Sequence, residues 1–129
     1  LRLALRNGTK RGKTSTMRTP KRGEVWLVRF PFSDLATTKL RPALVLAIHG
    51  EDVIVIGIFS REHPPPHFHA VYGEYQITVG IRGGVVRGDF PKRALRLVLE
   101  WLDLHEEELL EDWNLVQAGR PANKIAPLE

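Results

Sequence analysis

Apolar and polar positions alternate differently in the two halves of this chain, and the change of period divides strands from helix. Glu24-Val25-Trp26-Leu27-Val28-Arg29-Phe30 is rich in strand-forming residues and stops at Pro31. After a polar loop, Pro31 to Arg41, two runs follow, Ala43 to Ile48 and Val53 to Phe59, joined by His49-Gly50-Glu51-Asp52. Both runs are apolar on either face, which predicts central, buried strands, and their short connection predicts an antiparallel hairpin. Further on, His67 to Tyr72 and Tyr75 to Ile81 alternate with period two about Gly73-Glu74. A two-residue turn with Gly first sets Phe68 opposite Val79, Ala70 opposite Ile77, and Tyr72 opposite Tyr75 on one face. His67 with Gly80, His69 with Thr78, and Val71 with Gln76 then occupy the other. One face is apolar and the other mostly polar, and a slip of one residue would destroy that sorting.

Arg82-Gly83-Gly84 turns into a short sixth strand, Val85 to Arg87. Beyond it the period becomes helical. Ala94, Leu95, Val98, Trp101 and Leu102 recur on one face, and Leu109, Leu110, Trp113 and Val116 continue the stripe. Asp89 is the expected cap, with Pro91 in the first turn, and Gly119 with Pro121 ends the helix. A break near Asp103 to His105 would divide it in two. These elements predict an α+β fold, an antiparallel sheet of five or six strands packed by a C-terminal helical region. Residues 22–129 read as a single α+β domain behind a basic, disordered extension, residues 1–21.

Charge is distributed unevenly. The net charge of +4 conceals eight basic and no acidic residues in positions 1 to 22, so the remainder carries −4. A basic arm of this kind binds phosphate backbones without sequence preference, or does nothing. Met17 opens MRTPKRGEVWLV, an expected start just ahead of the first strand. The acidic segment Glu100 to Asp112 would repel phosphate, so nucleic acid is not expected to dock there. The chain has no cysteine, which excludes disulfides and thiolate metal sites and fits a cytoplasmic location. No apolar run approaches the ~18 residues of a membrane span. No H-E-x-x-H, Walker loop or G-x-S-x-G is present, and no cofactor is expected.

The candidate chemistry centres on HPPPHFHAVYGEY, His63 to Tyr75. His67 and His69 project from one strand face with Cα atoms ~6.7 Å apart. With His63 as a third ligand they are a candidate metal set. They are equally a candidate acid–base pair for a phosphodiester. In the plainest reading they hydrogen-bond to Thr78, Gln76 or the acids Glu100, Asp103 and Glu107.

Two resemblances extend these readings. GEVWLVRFPFSDLATTKLRPALVLA with DVIVIGIFSR, about residues 22–61, resembles the start of a MazF/PemK-type toxin. That resemblance implies a metal-independent endoribonuclease on a small SH3-like barrel, usually a homodimer, with single-stranded RNA as substrate and an antitoxin protein as partner. It implies that Arg41, from the RPALVL motif, grips the scissile phosphate and that Ser60 assists. Lys39 and Arg29 are then further candidate contacts to nucleic acid. The toxin family's later strands and terminal helix are absent here. From about Glu62 the chain is similar to family 4160 of the bacterial domains of unknown function, carried by HPPPHFHAVYGEY, PKRALRLVLEWLDLHEEELLEDWNL and KIAPLE. The expected join lies at residues 61–62.

Overall fold

The computed structural model describes residues 3–5, 20–29, 40–49 and 52–128. Among these residues, seven strands form one antiparallel sheet in sequence order: β1 (Leu3–Leu5), β2 (Val25–Arg29), β3 (Leu40–His49), β4 (Asp52–Gly57), β5 (His67–Tyr72), β6 (Tyr75–Gly80) and β7 (Val86–Gly88). The helical segment α1 (Lys92–Gln117) completes the α+β fold of the described residues. Six of the strands are those the alternation predicts. The added one, β1, pairs with β2 inside the segment expected to be without structure. The expected loop Pro31 to Arg41 lies largely outside the described residues; Leu40 and Arg41 already belong to β3.

The two runs that are apolar on both faces, β3 and β4, lie in the interior of the sheet order and are buried on both sides. On the helix side, Leu46, Ala47, Ile54, Ile56, Phe68, Ala70, Ile77, Val79 and Ile81 pack with Ala94, Val98, Trp101, Leu102, Leu109 and Trp113. On the other, Trp26, Val28, Ala43, Val45, Val55, Phe59 and Val71 form a second apolar cluster. The register between β3 and β4 shifts between Val45 and Ala47, so Leu46 and Ala47 both reach the helix-side core. The β5–β6 hairpin adopts the register that its alternation requires, from His67↔Gly80 through Tyr72↔Tyr75. Gly73, at φ 60, takes the first central position of its turn.

At the start of α1 the expectation fails. The helix begins at Lys92, and its N-cap is Pro91, in extended conformation without a side-chain cap bond. Asp89 therefore lies two residues outside the N-cap, too early in the chain to meet the first turn's N–H groups. The expected break is present at His105, whose φ of −128° and ψ of 24° are non-helical, so α1 is two helical stretches that meet across a kink. The helix ends before Gly119, where Gly119 N–H donates to the Val116 carbonyl and Arg120 N–H to that of Leu115. Thereafter the tail runs back along the domain. Asn123 N–H donates to Asp112 Oδ1 (2.9 Å), Trp101 Nε1 to the Ala126 carbonyl (2.8 Å), and Arg22 to the Leu128 carbonyl (3.2 Å).

Candidate functional site

The site is built where β4 hands the chain to β5. After Phe59 and Ser60 the backbone turns through Arg61 in the left-handed region (φ 60), passes the cis Pro64–Pro65 bond, and enters β5 at His67. The turn presents Glu62 to the histidine face of β5. Glu62 Oε1 lies 3.0 Å from His67 Nε2 and 2.6 Å from His69 Nε2. Their ligand atoms all fall within 4.8 Å of one another.

Each partner is held from outside the cluster. His67 Nδ1 lies 2.8 Å from the Pro65 carbonyl, and a carbonyl only accepts, so Nδ1 carries a proton. Its ring packs at 5.1 Å from that of Trp113, and the His69 ring at 4.7 Å from that of Phe59. Gln117, at the end of α1, clamps the turn: its Nε2 donates to the Phe59 carbonyl (2.7 Å), and its Oε1 accepts from Glu62 N–H (3.2 Å). Burial holds His69 below the usual imidazole range and favours the neutral ring, against the opposing pull of Glu62.

Gln117→Ala removes both ends of the clamp and leaves the Phe59 carbonyl without that donor. The expected result is a loss of about 1–3 kcal/mol of stability, read from denaturant unfolding. Gln117→Glu keeps the acceptor for Glu62 N–H but not the donor, so it should not restore the loss. If neither change moves the unfolding midpoint, the clamp contributes nothing.

Other expected site residues are dispersed around this corner. His63 is exposed; the third group brought to the two imidazoles is Glu62, its neighbour. Among the described residues no hydrogen bond joins either ring to Thr78, Gln76, Glu100, Asp103 or Glu107. Those acids lie on exposed positions of α1. Ser60 is exposed. Phe59, in contrast, is buried between the two halves of the corner, with the Arg41 guanidinium carbon 6.0 Å from its ring centroid. Arg41 is half-buried at the edge of a groove of about 550 Å3 between β3, the end of β4, α1 and the tail. The groove also presents Ser60, Asp112, Arg120 and Lys124. Asp112 is buried, and burial raises its carboxyl above the usual range while the Asn123 N–H bond opposes the shift. Lys39 lies outside the described residues, and for Arg29 only the backbone is described.

Neither Glu62 nor Gln117 belongs to a motif that sequence reasoning singles out. Glu62 occupies an aperiodic turn, and Gln117 follows the last position of the apolar stripe. A carboxylate a few residues before a pair of alternating histidines was the one available signal.

With this geometry the chain is similar, over residues 54–114, to the family described as a domain of unknown function (DUF4160). The match begins within β4, ahead of the expected join at residues 61–62, and includes Glu62, His67, His69 and nearly all of α1. It assigns no activity. No curated protein and no solved structure matches the chain. The MazF/PemK resemblance of residues 22–61 gains no support from these comparisons. No helix among the described residues is long and apolar enough to cross a membrane.

Proposed function

We propose that this is a bacterial nucleic-acid-directed protein of the toxin–antitoxin type, with single-stranded RNA seated along the groove beside Arg41. The observation that carries this reading is the Arg41 guanidinium, whose buried Nε has no hydrogen-bond partner among the described residues. A buried donor left in this way costs free energy, and a phosphate oxygen is its natural acceptor. Arg120 and Lys124 add two cations to the same lining, against one acid among the described residues, Asp112, whose Oδ1 accepts from Asn123 N–H. The groove's volume of about 550 Å3 suits a nucleotide-sized group, and Ile58 and Val116 give it apolar walls. Arg41 grips phosphate bidentately in this reading, as the toxin resemblance implies, while Ser60 flanks it.

The test is titration of a labelled single-stranded RNA with the chain in chelator, at low and at moderate salt. Arg41→Ala is expected to weaken binding by about tenfold or more, equivalent to one charge-assisted phosphate contact. Cleavage in chelator that disappears in Arg41→Ala would make the protein a metal-independent endoribonuclease. Binding without cleavage would leave a regulatory or partner-binding module. RNA affinity that is undetectable at low salt, or identical in Arg41→Ala, overturns the reading.

A further inference from the structure

We infer that Glu62, His67 and His69 form a binding site for one divalent first-row transition ion, with zinc as its natural probe. The inference is independent of the RNA reading. It starts from the His67 tautomer. Because Nδ1 donates to the Pro65 carbonyl at 2.8 Å, Nε2 is the ring nitrogen left to face Glu62 Oε1, 3.0 Å away. A cation between the two would use each as a ligand. His69 Nε2, 2.6 Å from the same oxygen, supplies the third.

The surrounding structure matches what such an ion needs. A metal-binding imidazole ordinarily donates its other N–H to a carbonyl or carboxylate, which fixes the tautomer, and the Pro65 carbonyl does this for His67. Gln117 holds the backbone N–H of Glu62, so the carboxylate is carried on a restrained turn. Phe59 and Trp113 flank the two rings and limit their motion. Zinc bonds of about 2.0–2.2 Å set tetrahedral ligand atoms roughly 3.4 Å apart. The three ligand atoms already lie within 4.8 Å of one another, so small side-chain adjustments suffice.

The donor set also selects the ion. Two imidazoles and one carboxylate favour borderline transition ions over magnesium or calcium, which prefer all-oxygen shells. The side chains remain 17–25% exposed, so one side of the cluster faces solvent. Three protein ligands with an open side leave a position for water or a substrate group, as in catalytic rather than closed structural sites.

The experiment uses the untagged full chain, stripped with chelator, dialysed and then titrated with Zn2+; a parallel sample takes Co2+. One ion per chain is expected, with visible Co2+ absorption bands of low-coordinate nitrogen–oxygen ligation. Glu62→Gln, His67→Ala and His69→Ala should each weaken Zn2+ binding by at least about tenfold, with His63→Ala unchanged. Circular dichroism establishes that each variant is folded, and the Co2+ spectrum of the unaltered chain tests the site without any substitution. Failure to bind Zn2+ and Co2+, equal affinity in His67→Ala, or dependence on His63 in place of Glu62 each overturns the inference. RNA binding in chelator stands or falls separately, so the two proposals can fail independently.

Discussion

Trp101→Ala is expected to lower the free energy of unfolding by about 3–5 kcal/mol, a large part of the ~5–15 kcal/mol that holds a typical domain folded. Trp101 is 1% exposed at the centre of the helix-side core. Its ring meets Phe68 edge-on at 5.9 Å and tilts against His105 at 5.6 Å, so its removal opens a cavity between sheet and helix. It also takes the Nε1 donor from the Ala126 carbonyl and removes one of the hydrogen bonds that hold the tail. Trp101→Phe separates the two effects. It keeps most of the ring volume but leaves that carbonyl without its donor, costing about 1–3 kcal/mol. Denaturant midpoints of the two variants read the difference. Amide exchange across 118–128 should quicken in both. An unchanged midpoint in Trp101→Ala would show that this core is not what holds α1 on the sheet.

Gly88→Ala should be the most damaging small substitution in the sheet. At φ 110 this residue occupies a region that side chains disfavour. A Cβ there would meet the Gln76 carbonyl oxygen at 2.6 Å and Ile77 Cα at 3.2 Å. Both obstacles are backbone in β6, so no side-chain rotation relieves them. Backbone strain of about 1–3 kcal/mol adds to the ladder bonds lost if β7 releases from β6. A stability loss of roughly 3 kcal/mol is expected from these contributions together. Gly83→Ala is the control: its φ is 87, yet a Cβ meets nothing within 4 Å, so only the conformational cost of ~1–2 kcal/mol applies. Equal losses in the two variants would mean that the close approach of β7 to β6 is unimportant.

Much of the architecture was legible because local rules and packing agree. The β5–β6 register followed from two constraints acting together, a two-residue turn and an alternation that buries Phe68, Ala70, Ile77 and Val79. The interior positions of β3 and β4 followed from runs with no polar face, and the kink at His105 from a lapse in the apolar stripe. Asp89 misled because cap propensity is a local preference. The true helix start is set by Pro91, whose fixed φ suits the boundary and whose missing N–H costs nothing there. Strand β1 was not legible, since three residues, Leu3–Leu5, are too few for a period to register.

The candidate site divides along the same line. By itself the sequence determined that His67 and His69 share a strand face, because alternation leaves no other arrangement once Phe68 is buried. It placed Arg41 at the end of the loop, whereas the structure makes it a residue of β3, opposite Val28. Only the tertiary structure decided that Glu62, not His63, meets the two imidazoles. That choice depends on Arg61 turning through the left-handed region and on Gln117 arriving from 55 residues away. Neither event has a period or a motif. Contacts made across a fold are set by where whole elements pack, and the chain reveals them only after the helix has been laid on the sheet.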